Sequence, residues 1–181
     1  MIFIVMTDKD QLEIQAKAIR ERLLFKKYLK TNEQLNIKFT PYNGKDQFDA
    51  TYIQLLNPQT NTIEFKKVLV EIKVREMTHR GLGGFIIEKK KYDYLMSKAD
   101  KYDQILYINF FYDGYLIWDL KALPTPTFYT KQLPRNNQTS NTIEKEIAML
   151  DLLQTKKKER AHINLIDYLK KSHEILKRIK K

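Results

Sequence analysis

Apolar residues recur at helical spacing at Leu12, Ala16, Ile19 and Leu23, with lysines and arginines filling the other face. Residues 8 to about 30 are therefore predicted to form a helix, capped by Thr7 or Asp8. Residues 31–47 are polar and contain Pro41, Asn43 and Gly44, which reads as a loop with a short strand around 37–39. A strand follows at 48–56 and ends at the turn signal Asn57-Pro58. A second strand at 63–75 is β-branched and apolar at its centre, Val68-Leu69-Val70-Glu71-Ile72-Lys73-Val74, with two charges on alternate positions. The turn residues between these strands predict an antiparallel hairpin. Residues 77–84 are glycine-rich, and 85 to about 98 are predicted helical, with Ile87, Lys91 and Leu95 on one side. A buried strand at 104–111, the turn Tyr112-Asp113-Gly114 and a returning strand at 115–120 come next. Pro124 and Pro126 break regular structure, and 136–141 is a polar loop. Residues 143–153 satisfy both periods: Ala148, Leu150 and Leu152 alternate, whereas Ile143, Ile147 and Leu150 fit a helix; the segment is read as a strand. Ile163, Ile166, Leu169, Leu176 and Ile179 mark a C-terminal helix.

With 181 residues, no internal repeat and no linker, the chain is expected to be one domain, its core at about 8–120 and a C-terminal extension at about 121–181. Hydrophobic residues at 43% and charged residues at 30% place it among globular rather than disordered chains. The N-terminal apolar run is too short for a signal peptide or a membrane span, and no later run is long enough. The absence of cysteine excludes disulfides and thiolate metal sites. An intracellular, cytoplasmic location is therefore expected, with no membrane partner. The net charge of +11 draws polyanions, of which nucleic acid is the usual one. A competing source of the charge is an AT-rich genome, whose bias fits the abundance of Lys, Asn, Ile and Tyr.

Charge changes the picture most where it interrupts the apolar strand. Phosphodiester hydrolysis needs an activated water, a neutralised phosphate and a stabilised leaving group, and a hard divalent cation held by carboxylates serves all three. Glu71 and Lys73, two apart on a strand, project to the same face. If the hairpin strands are neighbours, Asp49 meets Glu71 across them, and the Ile72 carbonyl offers a further oxygen. These three side chains are the candidate catalytic residues, with Asp49, Glu71 and Ile72 as ligands of Mg2+ or Mn2+.

An Asp, a hairpin and then Glu-x-Lys on a buried strand resembles the PD-(D/E)XK nuclease superfamily, over about residues 12–111. Phe48 stands where the family name has proline. The resemblance implies a restriction-endonuclease-like α/β fold with an α-β-β-β-α-β core, a mixed central sheet flanked by helices, and an added hairpin strand and C-terminal helix. One core strand is not separately visible; 63–67 or 37–39 could supply it. The implied activity is metal-dependent hydrolysis of DNA, in phage or mobile-element DNA processing, recombination or repair. Glu88 and Lys91 on the following helix are candidate accessory residues, as is Glu13 or Glu21 on the first helix; a solvated face competes for each. Arg75, His79, Arg80 and Lys89 are candidate nucleic-acid contacts, with a plain surface histidine the competing reading of His79. The basic clusters at 156–160 and 177–181 are expected to strengthen DNA binding. His79, His162 and His173 lack metal-ligand spacing, and Gly81-Leu82-Gly83-Gly84 lacks the Lys-Ser/Thr of a phosphate-binding P-loop. Two other classes stay open: a non-catalytic nucleic-acid-binding protein that keeps the fold, and an interaction protein that docks through its basic C-terminal helix. Whether two chains pair is also open.

Overall fold

The computed structural model describes residues 8–41, 48–56, 64–80, 84–134 and 142–179. A helix, α1 (Asp8–Tyr28), leads into three strands, β1 (Gln34–Phe39), β2 (Ala50–Leu56) and β3 (Glu64–Val74). After β4 (Gly84–Glu88) and α2 (Lys89–Met96) come β5 (Gln104–Phe111), β6 (Gly114–Asp119), β7 (Tyr129–Pro134), β8 (Thr142–Asp151), β9 (Lys157–Arg160) and α3 (Leu165–Ile179). Six strands form one sheet in the order β1-β2-β3-β5-β6-β9, and three form a second in the order β4-β8-β7. Only β3 and β5 run parallel; every other pair is antiparallel, so the main sheet is mixed. The class is α/β.

Strand β3 sits at the centre and is covered on both faces, which explains why its middle reads as an unbroken apolar run rather than an alternation. Val68, Val70, Ile72 and Val74 share a core with Leu24 and Phe25 of α1 and with Leu29 just after it. Leu69 faces the other way, into a core with Phe85 and Ile87 of β4, Leu95 of α2 and Ala148 and Leu150 of β8. Ala16 and Ile19 of α1 pack with Leu176 of α3. The indole N–H of Trp118 in β6 donates to the Asp151 carbonyl at 2.9 Å and ties the sheets together.

Strand β1 contains the short strand expected at 37–39, with an irregularity of register between Leu35 and Lys38 around Asn36, whose φ is +53°. The hairpin loop at 57–62 lies outside the described residues. Residues 143–153 are strand over most of their length. The helix expected over 85–98 is a correction: Gly84–Glu88 is strand and only Lys89–Met96 is helix. Phe85, Ile86 and Ile87 are better strand formers, and they complete the second sheet by pairing with Leu150, Met149 and Ala148. Two strands were not foreseen, β7 and β9. Strand β9 adds to β6 at one edge of the main sheet, so residues beyond 121 enter both layers of the fold. Gly114, at φ +144°, opens β6 against the backbone of Glu159, where a Cβ has no room.

Candidate functional site

Asp49 lies just before β2, and its backbone N–H donates to the Val70 carbonyl at 2.8 Å. The Ala50–Val70 register sets it beside Glu71 of β3. Asp49 Oδ2 accepts from the Ile72 N–H at 2.6 Å, so the carboxylate is fastened to the strand that carries Glu71 and Lys73. Glu71 is 1% exposed. Its Oε1 is ion-paired with Lys73 and, at 2.9 Å, with Lys91 of α2, although neither contact has hydrogen-bond geometry. The helix α1 brings a third carboxylate, Glu21, which is buried and whose Oε1 has no hydrogen-bond partner.

Burial dominates the electrostatics. It raises Glu21 above the ordinary carboxylate range against the pull of Lys73 and Lys17, with Glu71 adding to the rise. It raises Asp49 well above that range, helped by the Glu21 and Glu71 charges and opposed by Lys73 and the Ile72 N–H. For Lys73 burial acts downward, but Glu71, Glu21 and Asp49 outweigh it and hold the ammonium above its usual value. Lys17, exposed on α1, is lowered by partial desolvation against the pull of Glu21, with the Lys73, Arg75 and Arg20 charges adding to the fall.

Lys17, Lys73 and Lys91 open onto a cleft of about 700 Å³ that Arg20, Arg75 and Lys145 also line, against Glu76 and Glu88 among the described residues, while Asp49, Glu71 and Glu21 lie behind its wall. Arg20 pairs with Glu76 and Lys145 with Glu88, each at 2.7 Å. Arg75 is committed to a network: its Nε donates to Asn109 Oδ1 at 2.9 Å, and one terminal nitrogen reaches the Ile86 carbonyl and the Tyr107 hydroxyl.

The structure thus brings together Asp49, Glu71, Lys73, Lys91 and Glu21, with Arg75 and Glu88 at the cleft wall. Glu88 is the last residue of β4 rather than part of a helix face. Lys89 lies outside the lining and pairs with Asp93 at 2.6 Å. His79 is a correction to the surface reading: its ring is 2% exposed, stacks near Phe111 and contacts Asp113 Oδ1 at 2.8 Å. Arg80 borders a separate cavity with Asp113, Arg160 and His162. Glu13 is exposed. Lys17, Arg20 and Lys145 were not singled out from the sequence. For Lys17 the available signal was its i,i+4 spacing to Glu21; for Lys145, on a distant strand, there was none.

As the side chains stand, no three histidine, aspartate or glutamate residues among those described are grouped closely enough to enclose an ion. The donor chemistry nevertheless suits a hard cation, since Asp49 and Glu71 are neighbours across the hairpin and Glu21 adds a buried Oε1 without a hydrogen-bond partner. No helix among the described residues is long and apolar enough to cross a membrane. No family model, curated protein or solved structure matches the chain.

Proposed function

We propose that the protein is a metal-dependent nuclease of the PD-(D/E)XK type that hydrolyses DNA phosphodiester bonds, in phage or mobile-element DNA processing, recombination or repair. The observation that carries this reading is the register that sets Asp49 beside Glu71, with Glu71 ion-paired to Lys73 and Lys91, two lysines that line a basic cleft. The order of elements supports it: α1, three antiparallel strands, β4 and α2, and then β5 running parallel to β3.

Asp49, Glu71 and the Ile72 carbonyl would hold Mg2+ or Mn2+, with Glu21 alongside. Bound there, the ion supplies Lewis-acid charge for the phosphate and acidifies a water. Lys73 stays an ammonium at neutral pH, because its carboxylate neighbours favour the charged form. It therefore donates to a phosphate oxygen or to the attacking water and does not act as the base. Lys91 holds Glu71 in position from α2. Arg20 and Lys17 present positive charge from α1 to the incoming backbone.

Plasmid nicking with Mg2+ or Mn2+, against a chelator control, tests the reading. Asp49→Asn, Glu71→Gln and Lys73→Ala should each lower the rate on the order of 10²-fold or more, with DNA retained in a gel shift. An intact plasmid with either ion, alongside salt-sensitive binding, would identify a non-catalytic binder instead. The pairing of Glu71 with two lysines is the one observation that favours that outcome.

A further inference from the structure

Strand β8 is shared unevenly. Residues 147–151 pair with β4, whereas 142–147 pair with β7. The first half of β8 and all of β7 therefore form a two-stranded ribbon reaching past β4. Residues directly opposite on an antiparallel pair share a face. One ribbon face carries Lys131 opposite Lys145 and Leu133 opposite Ile143; the other carries Glu144 opposite Gln132 and Glu146 opposite Thr130. The charges are thus sorted, lysines on one face and glutamates on the other. The lysine face is the one turned to the cleft, because Lys145 and Leu133 line it together with Lys73 and Lys91. Like charges directly opposite each other weaken a ribbon, and Lys131 has no ion-pair partner among the described residues. Among the described residues the one aromatic that lines the cleft, Tyr107, has a buried ring and a hydroxyl held by Arg75, so it is not a platform for an unstacked base.

We infer that the β7–β8 ribbon is a duplex-holding arm, whose lysine face binds the phosphate backbone of double-stranded nucleic acid lying across the cleft mouth. The inference deepens the nuclease reading by naming the form of its substrate, and it rests on that reading for the chemistry alone. Binding is measured by fluorescence anisotropy in chelator, over a potassium chloride series, with a duplex and its single strand. The wild type should bind the duplex more tightly. Lys131→Gln, at an exposed strand position, should weaken duplex binding about 3–10-fold and reduce the log-log salt slope by about 0.9, the value for one lost phosphate contact. Glu144→Gln shifts net charge by the same amount on the opposite face and should leave the slope unchanged. Preference for the single strand, an unchanged slope in Lys131→Gln, or equal and opposite effects of the two variants would each overturn the arm. Because no cleavage is required, the two readings separate: duplex binding through Lys131 with an uncut plasmid keeps the arm and removes the nuclease, and the converse result does the reverse.

Discussion

Glu21 is a charged group that the fold accommodates at the expense of its own stability. A buried acid without a hydrogen-bond partner costs about 1–3 kcal/mol, and burial raises the proton affinity of Glu21. The folded state therefore binds more protons than the unfolded chain between the ordinary value of 4.5 and the raised folded value. Stability is lost as pH rises through that window. Glu21→Gln removes the charge, so it should raise the melting temperature at neutral pH, by roughly 2–4 °C per kcal/mol recovered. It should also flatten the decline above pH 4.5 and lower metal-dependent cleavage. Calorimetry at several pH values checks the first two. A lower melting temperature at neutral pH would mean that Glu21 is satisfied by its lysine neighbours and not strained. Glu71 and Lys73 were legible because charge inside an apolar strand is conspicuous, and Asp49 because the hairpin register sets it beside Glu71. Glu21 was only one of several acids on a helix that looks amphipathic in the ordinary way. His79 was misjudged because its burial depends on Asp113, a distant turn residue whose carboxylate accepts from the His79 backbone N–H and contacts its ring, which no local pattern announces.

Among the elements, those built from dense apolar runs were readable and those held by their neighbours were not. Strands β3 and β5 declare themselves through composition. Strand β9, Lys-Lys-Glu-Arg, is wholly exposed and exists because β6 offers it an open edge. Strand β7 likewise follows from β8. The boundary between β4 and α2 was missed because three lysines at the start of α2 continue a pattern that fits a longer helix; nothing local shows that Phe85 to Ile87 have a sheet to join. That joining is tight. A Cβ on Gly84 would stand 2.5 Å from the Leu150 carbonyl oxygen, a backbone atom that cannot swing aside. Gly84→Ala should therefore destabilise the protein by about 1–3 kcal/mol. It should also loosen the second sheet preferentially, seen as faster amide exchange in β8 than in β3. Uniform loss of protection across both strands would show that the two sheets unfold as one unit.

Over the whole molecule, positive charge is unevenly employed. Lys156 lies 3.7 Å from Asp119, and Lys157 pairs with Glu159 at 2.9 Å, so part of the 156–160 cluster fastens the sheet edge. This edge is three strands from β3, roughly 14 Å at the usual strand spacing. Neutralising Lys156, Lys157 and Lys158 together should weaken duplex binding to all sequences alike and reduce the salt slope by less than one contact per residue. A loss of a full contact for each would bring the edge into the binding surface. Denaturant midpoints measured alongside separate lost affinity from lost stability.

The docking of α3 on α1 bears on how the protein is made. Ala16 and Ile19, one turn from Lys17 and Glu21, find their apolar partner in Leu176. On the ribosome, Glu71 and Lys73 emerge long before that partner exists. Roughly a hundred residues separate them, about 5–20 s of synthesis. During that interval α1 has no α3 to rest against, and the third carboxylate is not yet fixed beside the other two. Assembly of the cleft is thereby deferred until α3 has been made, and a nascent chain stopped before α3 carries the charges of the site without its geometry.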